Sequence, residues 1–154
     1  MLRLSLVAVL VSGCAVVGAE DGSLEQASAT EAPIDLLDGG QWGRHVGSPS
    51  PDPATCQSER NVWVDLAIRN DAYDKRVGIV WIDTVRDDAN GPWKTAYATY
   101  EGARDGGWET WGVDFTAGTY GGLEPRPRIR LAAFVEMNGV TSWDNNGGAD
   151  YLIE

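Results

Sequence analysis

The segment WDNNGGADY, residues 143–151, places a tryptophan, an aspartate and two asparagines in one run ahead of two glycines and a tyrosine. Those residue types suit one kind of chemistry. A flat indole can carry the C–H face of a sugar ring, while carboxylate and amide groups at its edge exchange hydrogen bonds with the hydroxyls. The same residues also make a good turn after a strand, with Trp143 in the core and Asp144, Asn145 and Asn146 serving only the backbone. Local chemistry leaves both readings open.

Bond-breaking chemistry finds little support. Glycoside hydrolysis needs two carboxylates across the scissile bond, one with a raised pKa. Here Asp71, Asp74, Asp87, Asp88 and Asp105 fall in turns, with no apolar pocket evident around a pair. The single histidine, His45, falls in a segment read as flexible, where an imidazole is solvated and not held against a nucleophile, and neither HExxH nor a nucleophile elbow is present. Gly106-Gly107 and Gly121-Gly122 lack the strand–loop–helix setting of phosphate loops. DNNGGAD has oxygen ligands but neither the spacing nor the bidentate glutamate of a calcium loop. No catalytic residue, metal or cofactor is expected. The net charge of −11 argues against nucleic acid, whose phosphates need a basic footprint.

The elements that must hold these residues are short and alternating. VWVDLAI (62–68) sets Val62, Val64, Leu66 and Ile68 on one face, and RVGIVWID (76–83) does the same with Val77, Ile79 and Trp81. WKTAYATY (93–100), WETWGVDF (108–115), RIRLAAFVEM (128–137), VTSW (140–143) and ADYLI (149–153) follow. Asn138-Gly139 is a strong hairpin signal. Such runs, bounded by Gly, Asp and Asn and without a helical pattern, predict an all-β fold, an antiparallel β-sandwich.

Seven tryptophans are more than a core of this size needs. Alternation puts Trp81 and Trp111 inside, sets Trp108 on the opposite face from Trp111, Val113 and Phe115, and leaves Trp93 at the start of its strand. Tyr73 stands in the NDAYDK turn.

The N-terminus reads MLRLSLVAVLVSGCAVVGAE, with Arg3 ahead of an apolar stretch too short to span a bilayer, as in an export signal. VSGC (11–14) resembles the lipobox of bacterial lipoproteins. That resemblance implies a signal peptide over 1–13, a lipid on Cys14 and anchoring to a bacterial membrane. Ala15 after it resembles lipoproteins sorted to the outer membrane or cell surface. With Cys14 so used, Cys56 stands alone; a Cys14–Cys56 bridge is the alternative. Residues 14–57, acidic and then Pro-rich, read as a flexible tether carrying Trp42 and His45, and 58–154 as the folded domain.

IRNDAYDKRV (68–77), the tryptophan and tyrosine around Trp93, WETW.VDF and WDNNGGADY, in this order, resemble a family 21 carbohydrate-binding module. The family includes starch-binding domains of fungal amylases and glycogen-targeting subunits of protein phosphatase 1. The resemblance implies an immunoglobulin-like β-sandwich that binds α-1,4-glucans without catalysis. It assigns Trp143 and Trp93 to one glucan patch, with Asp144, Asn145 and Asn146 alongside. It assigns Tyr73 and Lys75, from the Asn-x-x-Tyr-x-Lys turn, to a second patch with Tyr100 and Trp108. One family aromatic falls on Ala132. The basic-x-Val-x-Phe phosphatase-docking motif is absent, since KRVGIV (75–80) lacks the final aromatic. The expectation is an anchored binder of starch, glycogen or maltooligosaccharides beside surface amylolytic enzymes. The rivals are an adhesive, protein-binding sandwich and a binder of a different glycan.

Overall fold

A computed structural model describes residues 32–46, 52, 56–88, 90–121 and 124–154. The alternating runs become nine strands: β1 (Ile34–Val46), β2 (Gln57–Arg69), β3 (Lys75–Asp83), β4 (Lys94–Tyr97), β5 (Thr99–Arg104), β6 (Trp108–Gly121), β7 (Ile129–Met137), β8 (Val140–Asp144) and β9 (Tyr151–Ile153). Every pairing is antiparallel. One sheet runs β1-β2-β6-β5 and the other β4-β3-β7-β8, with β9 also on β7. The expected β-sandwich is therefore observed.

Period-2 patterning explains which faces meet. Val62, Val64, Leu66 and Ile68 of β2 are fully buried. In one core they join Val77, Ile79 and Trp81 of β3 and Leu131, Ala133 and Val135 of β7. Each such aliphatic side chain contributes about 1.5–3 kcal/mol of burial free energy. Trp81 is core, as alternation requires, its ring 4.4 Å from that of Phe115. Asn138 and Gly139 both adopt positive φ (52° and 77°), as a two-residue hairpin turn matched to strand twist demands.

Two expectations need correction. The tether does not extend to residue 57: residues 34–46 form β1, paired along β2 from Ile34↔Ile68 to Val46↔Gln57. Its alternation is hidden in the sequence by a register shift between Leu36 and Asp38 and by three glycines. Gly40 is needed there, because a Cβ would lie 3.0 Å from Nε1 of Trp63. Trp42 thus belongs to a strand, and so does His45. The run 93–100 is two strands in different sheets. The chain crosses at Ala98, whose amide donates to the Val77 carbonyl at 2.9 Å.

Cys56 is buried and disulfide-bonded, which corrects the expectation of a lone thiol. The chain's only other cysteine, Cys14, lies outside the described residues. One sulfur cannot carry both a lipid thioether and a disulfide.

Candidate functional site

The outer face of the β4-β3-β7-β8 sheet carries two exposed aromatic rings, Tyr97 and Trp143. Trp143 stands opposite Phe134 in the β7–β8 ladder. The two rings lie 5.4 Å apart, tilted by 49°. Phe134 is 5% exposed and Trp143 49%, so the phenyl supports an indole whose other side is open to solvent. The question left open by the sequence is decided: Trp143 is not core.

The row continues across the sheet. Phe134 faces Gly78 of β3, which in turn faces Tyr97 of β4. A side chain at Gly78 would collide with the Ala96 carbonyl and the Phe134 ring, so this position stays a trough. Tyr97, 57% exposed, meets Phe134 edge-on at 6.2 Å. Neither Tyr97 nor Phe134 was singled out by motif. Alternation from Trp93 through Thr95 marks Tyr97's face. The family resemblance assigns Tyr100 instead.

Trp93, one residue ahead of β4, shares this face. The Arg130 guanidinium of β7 lies 4.9 Å from the centre of its ring. Arg130 also approaches Asp150 at 3.4 Å. Trp93 and Trp143 stand at diagonal corners. Three strand spacings separate them across the sheet, about 14 Å, and four residues of β7 along it, about 13 Å. Ala132 lies on β7 between Arg130 and Phe134 and is buried, so it offers no ring to a ligand between the two tryptophans.

The polar residues after Trp143 divide by direction. Asp144 points inward and is 7% exposed. Its carboxylate accepts hydrogen bonds from the Leu36 amide at 2.9 Å, the Tyr151 hydroxyl at 2.8 and 2.9 Å and the Asn146 amide at 3.3 Å. Burial first, and then this carboxylate, push the Tyr151 phenol far above its ordinary range. Asp144, expected beside a ligand, serves as a clasp that ties β8 to β1 and β9. Asn145 accepts from the Gly148 amide at 3.1 Å, capping the 3-10 turn Asn146–Gly148. Its side chain is exposed beside Trp143. Asn146 donates to the Asp150 carbonyl at 3.3 Å, and its Oδ1 is buried without a partner.

The second expected patch is only partly assembled. Tyr73 is 99% exposed at the tip of its turn. It lines a groove with Arg76, Glu136 and Thr141. Arg76 and Glu136 form a bidentate pair with both bonds at 2.7 Å. Lys75 lies beneath the turn, its side chain 3% exposed. Its ammonium donates to Asn70 Oδ1 at 2.8 Å and to Glu109 Oε2 at 2.9 Å, and the same Glu109 oxygen accepts from Trp111 Nε1 at 3.0 Å. Lys75 thus braces the turn from beneath. Tyr100, 51% exposed, packs edge-on against Trp111 at 5.6 Å. Trp108 is three residues from Trp111 in an unbroken stretch of the ladder, so it projects from the opposite face of its sheet. Tyr100 and Trp108 do not share a patch; Trp111 is Tyr100's neighbour.

Among the described residues, no group of three or more acidic, histidine or cysteine side chains is placed to hold a metal ion, and no helix is long and apolar enough to cross a membrane.

No family model matches the sequence, and no curated protein does. The fold does match solved structures. The starch-binding domain of Rhizopus oryzae glucoamylase, solved with β-cyclodextrin and maltoheptaose, superposes with a TM-score of 0.56 at 19% identity. The match covers 84% of this chain and 99% of that domain. The carbohydrate-binding module of the muscle glycogen-targeting subunit of protein phosphatase 1 gives 0.48 at 17% identity, over 78% of this chain and 73% of that one.

Proposed function

We propose that this protein binds α-1,4-glucans without cleaving them, at the outer face of the β4-β3-β7-β8 sheet. The observation that carries this reading is the indole of Trp143, half-exposed on a buried phenyl, with the exposed Asn145 two residues on. An exposed tryptophan held rigid from behind offers a sugar ring stacking surface at little cost in side-chain entropy. The glucoamylase domain shares the fold and was solved with glucan ligands, which supports the same ligand class here. Trp93, with Arg130 against its ring, supplies the far edge of the face. Tyr73 and Tyr100 supply two further rings near the sandwich edge.

Export fits this function, because starch and glycogen fragments are met outside the cell and a disulfide persists in an oxidising compartment. Anchoring at a membrane beside amylolytic enzymes is the arrangement in which a non-catalytic binder helps digestion most.

The deciding experiment is retention of the pure domain on amylose and on cellulose. Retention on amylose alone, competed by β-cyclodextrin and without release of reducing sugar, is the expected result. Trp143→Ala or Tyr73→Ala should weaken it in part, and the pair should abolish it. Retention on both polymers, or on neither, overturns the proposal.

A further inference from the structure

The opposite surface of the sandwich, the outer face of the β1-β2-β6-β5 sheet, has a different composition that glucan binding does not use. Asp38 stands opposite Asp65, and Gly40 opposite Trp63. On the other side of β2, Asp65 faces Gly112 and Trp63 faces Asp114. Glu101 is the extra residue of the bulge in β5, and its carboxylate lies over Gly112, where any side chain would strike it. Four carboxylates thus occupy neighbouring positions on one face.

They lack counter-charge. Asp38 accepts from the amide of Gly39 at 2.7 Å. Among the described residues no lysine or arginine pairs with Asp38, Asp65, Asp114 or Glu101. Arg44 and Arg69, at the two ends of the face, are held by Glu59 and Asp71. Arg104 stands across from Trp108, four residues along β6 from Gly112. Burial, and then Glu101, Asp38 and Asp114, hold the Asp65 carboxyl above the usual carboxylate range.

Two indoles border the charges. Trp63 lies across the β1 backbone, with three atoms of its ring 3.0–3.3 Å from where a Cβ on Gly40 would be. Trp42, two residues further along β1, is 41% exposed. Rings beside unneutralised carboxylates suit a cation carried on an apolar stem. The ammonium or guanidinium pairs with the carboxylates, and the methylenes and the charge lie on the indoles.

We propose that this face docks a basic polypeptide segment, a lysine- or arginine-bearing strand or loop of a partner protein. Charge selects that occupant. A second copy of the chain carries the same net charge of −11, and the chain's own AEDGSLEQASATEAP stretch is acidic. Both are repelled. A neutral sugar can hydrogen-bond single carboxylates but leaves the repulsion among the four in place, whereas a cation relieves it.

The test is titration of a fluorescent lysine-rich peptide of about ten residues into the full chain, with a cooperative thermal melt as the check that each variant is folded. Saturable binding is expected, weakening about tenfold or more between 0.05 and 0.5 M salt, as for exposed ion pairs. Asp65→Asn with Asp114→Asn should weaken it about tenfold at low salt, and Trp63→Ala to a similar degree, with Trp63→Phe largely restoring it. Should Trp63→Ala fail to fold, Trp63→Phe and the carboxylate variant still decide. Three results overturn the proposal: no saturable binding, binding indifferent to all of these variants, or tighter binding of a glucosamine oligomer than of the peptide. None of these depends on whether the chain binds glucan.

Discussion

Trp143 and Phe134 face each other across the β7–β8 ladder with ring centres 5.4 Å apart, one indole half in solvent and one phenyl almost wholly buried. The pair divides recognition from support, and the two substitutions should therefore behave oppositely. Trp143→Ala should leave thermal unfolding within about 1.5 kcal/mol of wild type, since an exposed ring loses little on truncation. Phe134→Ala should cost about 3 kcal/mol or more, as large-to-small changes at buried aromatics do. Thermal melts and β-cyclodextrin calorimetry on both variants check this. A Trp143→Ala protein that does not fold would show the ring to be structural.

Affinity should be modest. A stacked ring and a few hydrogen bonds, less association costs, leave roughly −4 to −6 kcal/mol, or about millimolar to tens of micromolar for a short oligosaccharide. With alanine and no ring at position 132, the Trp143 face should sit at the weak end. Polymer that engages several rings or several modules should be held ~100-fold more tightly through avidity. Calorimetry with maltoheptaose beside depletion on soluble starch measures both.

Lys75 and Glu109 form a buried ion pair, their side chains 3% and 11% exposed. Breaking it from one side leaves an uncompensated charge, so Lys75→Met should destabilise by about 3–5 kcal/mol. Adding Glu109→Leu should restore much of that loss. Urea unfolding of the two variants decides between a brace and a ligand contact. If Lys75→Met melts like wild type and only glucan affinity falls, Lys75 is a contact residue after all.

Asp65 gives the pH response a sign. Its folded-state pKa is raised by burial and by three neighbouring acids, whereas the unfolded value is about 3.9. The folded chain therefore holds this proton to higher pH than the unfolded chain. Stability is lost as pH rises from the unfolded value through the raised one. Asp65→Asn should melt above wild type at pH 7, and the gain should vanish as pH falls below about 4. A gain independent of pH would point to packing instead of charge.

The disulfide at Cys56 and the lipid expected at Cys14 compete for one sulfur if they share a chain. Cys56 should resist alkylation in the denatured, unreduced protein and react once reductant is added. Intact mass of protein from an exporting host, with and without Cys14→Ser, tests the anchor in the same preparation. An alkylatable Cys56 together with membrane partition would assign the sulfur of Cys14 to lipid.

Much of the fold was legible in the residues themselves, because a strand's side chains alternate with period two. That alone separated Val62, Val64, Leu66 and Ile68 from the outer face of β2, put Trp81 in the core and set Trp108 against Trp111. Asn138-Gly139 announced its hairpin because few other pairs tolerate two positive φ values. What tertiary structure decided was depth and company. Asp144 reads like Asn145 in WDNN, yet it is buried because an amide 108 positions away, Leu36, comes to its carboxylate. Lys75 reads as the polar end of an exposed turn, yet Glu109, 34 residues on, draws it inside. β1 was invisible because its bulge and glycines break the alternation, and only its partner Trp63 explains them. Alternation is a property of one strand, so sequence carries it directly. Burial and ion pairing are set by strands far apart in the chain, and only the closed sandwich brings those together.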